Sequence, residues 1–274
     1  MRAKLKFSAP GKLIISGEHA VVYGYPALVT AIDRRLSIEG SGKDDKITSD
    51  IPIGAGMGSS AAFAVATSAL RIKKIDLPKI NELAYKLEKK HHGSPSGVDN
   101  TICTYGGFLW YRKESENLKT FKVIVPKTKF PKIYLLNTGK PVESTKEMVT
   151  HVSDLYRGRK SYFDTVFRGI EKITKEFLGL LLNDSNSDFD ELVKYNEELL
   201  EKLDVVSPTT KNIIRKIEKI GGAAKITGAG GKKESSGMVI VYHNDSDKLL
   251  KFAKDNKLDL FSVKIGEEGV RIEK

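Results

Sequence analysis

Apolar residues in the first part of the chain form short runs of β-branched and aliphatic type, separated by glycine turns. The runs at 27–32 and 36–39 favour strands, because such side chains pack well on a pleated surface. Residues 59–70 differ, since they are rich in alanine and contain neither proline nor glycine. This composition predicts a buried helix that begins at Gly58 or Ser59, either of which can cap it.

A second helix is predicted to begin at Pro78, because proline suits the first turn of a helix. Its apolar residues recur three and four positions apart as far as Leu87, which places them on one face. The helix is expected to stop at the glycine-bounded segment 93–97. Three strand-like runs follow, at 107–111, 121–125 and 133–137.

The pattern changes near residue 144, where three or four amphipathic helices are predicted up to about residue 220. The remaining elements are strands at 223–226 and 238–242, a helix at 245–254, a strand at 260–265 and a final short strand. A boundary near residue 130 would divide the chain into two α+β domains, 1–130 and 131–274.

Composition excludes several classes of protein. About 40% of the 274 residues are apolar, too many for a disordered chain, and a single cysteine excludes an intramolecular disulfide scaffold. No apolar run approaches the roughly 18–20 residues that a membrane-spanning helix needs, and the first residues lead into no signal peptide. We therefore expect a soluble, cytoplasmic protein without a membrane partner.

The charge balance is basic, since 46 Lys+Arg against 35 Asp+Glu give a formal net charge of +11. Such an excess suits nucleic acid, an anionic membrane surface or a small polyanionic substrate, but also a merely soluble surface. Lysines are spread along the chain and glutamine is absent, a bias typical of thermophile proteins. A nucleic-acid surface would need clustered cations and aromatic residues, so we expect no nucleic-acid partner.

The segment 52–62 carries the sharpest local signal for a ligand site. Its glycines allow positive φ and close approach of a ligand, and the predicted helix behind them directs unpaired N–H groups outward. Such a loop binds phosphate, and a serine hydroxyl at the helix start can also ligate Mg²⁺. An ordinary glycine-rich helix start is the alternative. The candidate phosphate-binding residues are Gly54, Ala55, Gly56, Met57, Gly58, Ser59 and Ser60.

Three further segments carry candidate chemistry. Glu88 and Asp99 flank a turn, and such a pair can divide metal binding and proton transfer between its members, although solvated surface acids have the same pattern. Lys12 lies in a glycine-flanked segment and could face an anion. The glycines of 227–231 offer a second set of backbone donors, or a tight turn between strands. Adjacent His91 and His92 point to different faces, which argues against zinc.

Taken in order, four segments resemble the signature motifs of the GHMP small-molecule kinases. They are 10–24, 52–62, 92–100 and 225–230, and together they span most of the chain. Within that family, the segment 92–100 is most similar to members that phosphorylate mevalonate.

The resemblance implies an α+β fold with two domains. The N-terminal α/β domain would contain a left-handed βαβ crossover, the C-terminal domain would be ferredoxin-like, and the active site would lie in the cleft between them. The implied activity is ATP- and Mg²⁺-dependent phosphorylation of the C5 hydroxyl of mevalonate, a step of isoprenoid biosynthesis, by a monomer or homodimer.

Residue roles follow from the same resemblance. Asp99 matches the catalytic aspartate and Lys12 the lysine beside it. Ser60 and Glu88 match the Mg²⁺ ligands, and the backbone of 54–60 matches the triphosphate cradle.

On the acceptor side, Glu18 and His19 match positions linked to mevalonate, with His19 the better candidate for a direct contact. Thr145 resembles a family threonine near the phosphate and the acceptor, with Ser144 as its competitor. Gly228 and Ala229 belong to the third family motif and are expected at the substrate.

Two departures from the family pattern affect ligand contacts. The stretch 38–51 is shorter than in relatives, where a longer excursion helps to hold the adenine. The third motif changes after Gly230, so that Lys232 and Lys233 either reach bound phosphate or lie in a solvated loop, the second being favoured.

The alternatives are another GHMP kinase, acting on phosphomevalonate or homoserine, a mevalonate diphosphate decarboxylase, a catalytically silent relative, or a basic nucleic-acid-binding protein. The segment 92–100 and the Glu18–His19 pair favour mevalonate over the first of these. The combination of Lys12 and Asp99 suits a kinase better than a decarboxylase.

Overall fold

A computed structural model of the chain describes residues 5–40, 45–92 and 96–273. The segment 93–95, which belongs to the 92–100 motif and to the predicted turn after the second helix, lies outside the described residues.

The described strands form two sheets. Their bounds are β1 (Leu5–Ser16), β2 (Pro26–Gly40), β3 (Lys46–Ser49), β4 (Phe108–Lys113), β5 (Lys119–Ile124), β6 (Tyr134–Asn137), β7 (Ala223–Ile226), β8 (Met238–Tyr242), β9 (Asp259–Ser262) and β10 (Arg271–Glu273). The first sheet has the order β10-β1-β2-β4-β5, with β3 beside β2, and the second has the order β7-β8-β6-β9.

Eight α-helices accompany these strands in the described part of the chain. They are α1 (Ser59–Ile72), α2 (Leu77–His92), α3 (Val98–Tyr105), α4 (Thr145–Gly158), α5 (Lys160–Leu182), α6 (Phe189–Lys202), α7 (Pro208–Lys219) and α8 (Ser246–Asp255). None of the helices within these described ranges combines the length and the apolar character needed to cross a membrane.

The long strand β1 was not predicted, because glycine and proline interrupt its apolar pattern. Its pairing with β2 shifts register between Pro10 and Lys12, where Gly11 of β1 lies opposite the three residues 32–34 of β2, so β2 bulges beside this point. Such bulges bend a strand and redirect a side chain. The segment that carries Lys12 is therefore part of an interior strand of the sheet, beside the bulge of β2.

Helix α1 packs closely on the first sheet because its buried face is built of small residues. Ala61, Ala62, Val65, Ala66 and Ala69 are all buried on it. Small side chains allow the helix backbone to approach β1 and β2, so the start of α1 lies close to the middle of β1. This packing positions the glycine-rich segment relative to Lys12.

The second sheet has the strand order of a ferredoxin-like fold, as predicted. In chain order its strands are arranged second, third, first and fourth, and neighbouring strands are antiparallel. Four helices, α4 to α7, lie between its first and second strands. The α+β fold class is confirmed.

The end of the chain departs from the predicted division into 1–130 and 131–274. Strand β10 pairs with β1 in the first sheet, so the last described residues return to the N-terminal half. The buried apolar side chains of both halves also form one continuous cluster. A boundary near residue 130 stays a prediction, with this exception at the end of the chain.

Candidate active site

The glycine-rich loop before α1 has a conformation that requires its glycines. Gly54, Gly56 and Gly58 have φ values of 75°, 83° and 78°, where other residues are strained. Gly58 is the N-cap of α1, and no side chain caps the helix among the described residues. The first N–H groups of α1 therefore lack a capping acceptor and, with the positive end of the helix dipole, favour an anion.

The second glycine segment packs directly on this loop. A Cβ atom on Gly56 would lie 3.0 Å from the carbonyl oxygen of Thr227, and one on Gly228 would lie 3.2 Å from the Cα of Gly56. The N–H of Met238 donates to the carbonyl of Ala55 at 3.3 Å. The structure thus brings Gly228 and the loop 54–58 together, although they are far apart in sequence.

Lys12 connects the loop to Asp99. Its backbone N–H donates to the carbonyl of Met57 at 2.9 Å, and its stem packs against Gly58, where a Cβ would lie 2.7 Å from its Cγ. Its ammonium group lies 3.2 Å from Oδ1 of Asp99, and the two side chains are 3% and 37% exposed. The buried ammonium group of Lys12 therefore forms an ion pair with a carboxylate that is partly exposed to solvent beside the loop.

Asp99 stands in the first turn of α3, a helix that the sequence pattern did not predict. Polar residues such as Asn100, Thr101 and Thr104 are buried in it, so it shows little apolar periodicity. Gly97, with a φ of 90°, is its N-cap. The carboxylate of Asp99 also lies at the positive end of this helix.

Ser60 and Glu88 lie together, as a shared metal site requires. The hydroxyl of Ser60 donates to Oε1 of Glu88 at 2.6 Å, which joins the start of α1 to the end of α2. No group of three or more acidic, histidine or cysteine side chains suited to a metal is found among the described residues. Mg²⁺ is commonly bound by one or two protein oxygens together with substrate phosphates, so this pair fits that ion.

His19 is buried and neutral. Its Nε2 lies 3.0 Å from the carbonyl oxygen of Ala229 and must donate, since a carbonyl only accepts. Burial lowers the pKa of His19 from 6.5 to about 4, against the opposing effect of this hydrogen bond. The ring therefore presents Nδ1 as an acceptor at neutral pH. Its backbone has a φ of 58°, unusual for a residue with a Cβ.

Glu18 does not face the cleft, contrary to its predicted role at the substrate. Its side chain has no exposed surface, and its Oε1 accepts from the buried ammonium group of Lys225. Lys225 also donates to the carbonyl of Ile226 at 2.8 Å. Burial raises the pKa of Glu18, while Lys225 opposes this effect. Glu18 follows the end of β1, and its side chain pairs with a residue of β7 inside the core.

A second buried carboxylate lies behind this pair. Oε2 of Glu197, on α6, accepts from the N–H of Ile226 at 2.9 Å. Burial raises the pKa of Glu197 to about 8, so the side chain carries a proton at neutral pH. In the sequence, only its polar side chain distinguishes Glu197 from the leucines around it, so the pattern did not predict a buried acid at this position.

The start of helix α4 bears on whether Ser144 or Thr145 is the residue near the phosphate and the acceptor. The side chain of Ser144 accepts from the N–H of Glu147, whose own carboxylate accepts from the N–H of Ser144. This reciprocal capping box occupies Ser144 structurally. Thr145 is the first residue of the helix and is exposed. It follows the connection between β6 and α4, part of which contacts the glycine loops, and its role at the substrate stays a prediction.

Sequence patterns also missed Tyr111, which supports the turn before Asp99. Its side chain is fully buried in β4, and its hydroxyl donates to the carbonyl of Ser96 at 2.6 Å. A Cβ on Gly97 would lie 2.7 Å from that hydroxyl. The available signal was a tyrosine in a buried strand, where the hydroxyl requires a partner.

Lys232, in the altered part of the third motif, approaches an acidic residue. Its ammonium group lies 3.8 Å from Oδ2 of Asp204, and both side chains are partly exposed. This position agrees with the solvated loop that was favoured for this segment.

Comparisons with known proteins agree with this geometry. The sequence pattern of the GHMP kinases N-terminal domain matches residues 23–107. The mevalonate kinase of Archaeoglobus fulgidus is 32% identical over an alignment that is 308 residues long, gaps included, and covers 97% of this chain and 99% of that protein.

Solved structures share the fold. A mevalonate kinase of L. major in complex with R-mevalonate superposes with a TM-score of 0.78 at 22% identity, covering 96% of each chain. The Methanococcus jannaschii mevalonate kinase has a TM-score of 0.78 at 24% identity, covering 97% of this chain and 99% of that one.

Proposed function

Since the chain belongs to the GHMP kinase family, we propose that it is a mevalonate kinase, which transfers the γ-phosphoryl group of ATP to the C5 hydroxyl of mevalonate. The observation that carries this proposal is the buried Lys12, which contacts both the glycine loop and Asp99. A phosphate-binding loop and a positioned carboxylate are the parts that phosphoryl transfer to an alcohol requires.

The loop supplies the nucleotide site. Backbone N–H groups at the start of α1, together with the helix dipole, would bind the phosphate oxygens of ATP. Ser60 and Glu88 would hold Mg²⁺, whose charge neutralises phosphate oxygens when it is bound.

Asp99 would orient the acceptor hydroxyl and take its proton as the oxygen attacks the γ-phosphorus. The new O–P bond forms while the bond between the γ-phosphorus and the β–γ bridging oxygen breaks, so ADP leaves with that electron pair. Lys12 pairs with Asp99 and lies close enough to stabilise negative charge on the attacking oxygen. In this proposal neither Lys12 nor Asp99 forms a covalent bond with the transferred phosphoryl group.

His19 supports the acceptor side of the site. Because its Nε2–H is used by Ala229, neutral Nδ1 can accept a hydrogen bond from a substrate hydroxyl but cannot attract a carboxylate. This polarity suits the hydroxyl groups of mevalonate.

We further propose a heat-adapted cytoplasmic enzyme. Several helices carry ion pairs at three- and four-residue spacing, such as Glu82–Lys86 and Glu171–Lys175. Networks of such charges stabilise proteins mainly at high temperature.

The activity is tested by offering MgATP with mevalonate, 5-phosphomevalonate or homoserine separately, and measuring ADP release. We expect release with mevalonate only. Release with another acceptor and none with mevalonate would overturn the substrate assignment, while no release with any acceptor would overturn the kinase assignment.

A further inference from the structure

The connection between β6 and α4 passes over the glycine loop in a fixed conformation. The backbone N–H and the hydroxyl of Thr138 both donate to the carbonyl of Gly237, at 3.0 and 2.7 Å. The N–H of Gly139 donates to Oδ1 of Asn137 at 3.0 Å. Residue 140, which follows directly, is therefore presented by an anchored backbone.

Lys140 lies across the first glycine of the loop. A Cβ atom on Gly54 would lie 3.1 Å from Cε of Lys140 and 3.5 Å from its Cδ. The aliphatic stem thus covers the turn and carries the ammonium group to the edge of the loop. Neither composition nor the family motifs drew attention to this lysine among the 46 basic residues.

The loop therefore has a lysine at each end. Lys12 packs against Gly58, and Lys140 packs against Gly54. The ammonium group of Lys12 has Asp99 as its partner at 3.2 Å. Lys140, in contrast, has neither an ion pair nor a hydrogen bond within the described ranges 5–40, 45–92 and 96–273. Lys140 is exposed, so its ammonium group beside the phosphate-binding loop is accessible to an anionic ligand.

We propose that Lys140 binds the phosphates of the nucleotide that are not transferred. This inference rests on the proposed function. The groups proposed to act at the reacting end, Lys12 with Asp99 and Ser60 with Glu88, lie at the Gly58 end of the loop. Lys140 lies at the Gly54 end, so it contacts phosphate oxygens that ATP and ADP share. It is a binding residue for both nucleotides and takes no part in the transfer itself.

The test is isothermal titration of MgADP and of adenosine into the wild-type protein and the Lys140→Met variant. Methionine keeps the stem that covers Gly54 and removes the charge. Loss of a charge-assisted hydrogen bond is expected to weaken MgADP binding about tenfold, whereas adenosine binding should stay unchanged. Lys140→Arg should retain most of the MgADP affinity. The matched control is Lys122→Met, which removes an exposed lysine from the edge strand β5.

Equal MgADP affinity of Lys140→Met and the wild type would overturn the proposal, and so would an equal loss of adenosine affinity. A wild type that binds no MgADP would also overturn it. A wild type that binds MgADP but phosphorylates no acceptor would refute the proposed function alone, because the comparison of the two affinities would still decide the role of Lys140.

Discussion

The ammonium group of Lys12 lies 3.2 Å from the carboxylate of Asp99, and only the carboxylate has substantial access to solvent. The buried cation comes from the interior strand β1, beside the register shift with β2, and the anion comes from the first turn of α3. A substrate hydroxyl can therefore approach Asp99 from the solvent side, while Lys12 remains behind it as a fixed positive charge.

Asp99→Asn is expected to lower kcat roughly 100-fold or more, because the amide cannot accept a proton. The KM for MgATP should change little, since the loop 54–58 is untouched. Steady-state kinetics measure both constants, and circular dichroism checks folding. Asp33→Asn, at an exposed position of β2, is the control. Turnover near the wild-type rate in a folded Asp99→Asn protein would rule out this role.

Glu88→Gln should reduce activity in a manner that added Mg²⁺ partly restores. The amide keeps the shape of the side chain and can still accept from Ser60, but it is a weaker ligand than a carboxylate. Initial rates are measured against Mg²⁺ concentration at fixed ATP. Glu82→Gln, at an exposed position of the same helix, provides the comparison. An activity loss independent of Mg²⁺ would indicate a structural role for Glu88 instead.

Tyr111→Phe is expected to lower kcat while the KM values for both substrates stay close to wild type. The change removes the hydrogen bond to Ser96, three residues before Asp99, and costs about 1 kcal/mol of unfolding free energy. Ile170→Val, in the core on α5, should cost a similar amount of stability without lowering kcat. Equal kcat values for the two variants would contradict a positioning role for Tyr111.

Glu197→Gln should remove part of the pH dependence of stability. The pKa of Glu197 is about 8 in the folded protein against an ordinary 4.5, so the folded state binds one more proton than the unfolded state between these values. Its contribution is complete below pH 4.5 and is lost as the pH rises towards 8. The stability of the wild type relative to the variant should therefore fall by about 1.4 kcal/mol per pH unit in this window.

Urea unfolding of both proteins at pH 5, 6, 7 and 8 measures this difference. Taking the difference between the two proteins cancels contributions from buried groups that do not interact with Glu197, such as His19. A constant difference across the four pH values would show that Glu197 is ionised in the folded protein.

Elements with a regular apolar pattern could be predicted from the sequence. The alanine-rich helix α1, the helix from Leu77 and the strands β6 to β8 all have one dominant local signal, and the structure agrees with them. Helix α3 could not be predicted in this way, because half of its six buried residues are polar and they interrupt the apolar pattern.

The candidate site shows the same difference between local and tertiary information. Glycines with positive φ and the proximity of Ser60 to Glu88 agree with the motifs. Glu18 was expected at the substrate because it matches a family position on the acceptor side, but its side chain is fully buried. Only the folded chain shows that Lys225, more than 200 residues away in sequence, forms an ion pair with the carboxylate of Glu18.

The buried pair Glu18–Lys225 also opposes separation of the two halves of the chain. Beside it, the N–H of Ile14 donates to the hydroxyl of Thr227 at 3.0 Å, so β1 and the start of the second glycine segment are joined by buried polar contacts. Pulling these strands apart would strand two charges away from their partners, at a cost of several kcal/mol. These buried contacts join the two halves of the chain, so this seam is unsuited to act as a hinge. Any route of substrate entry that separated the two halves along this seam would therefore carry that free-energy cost.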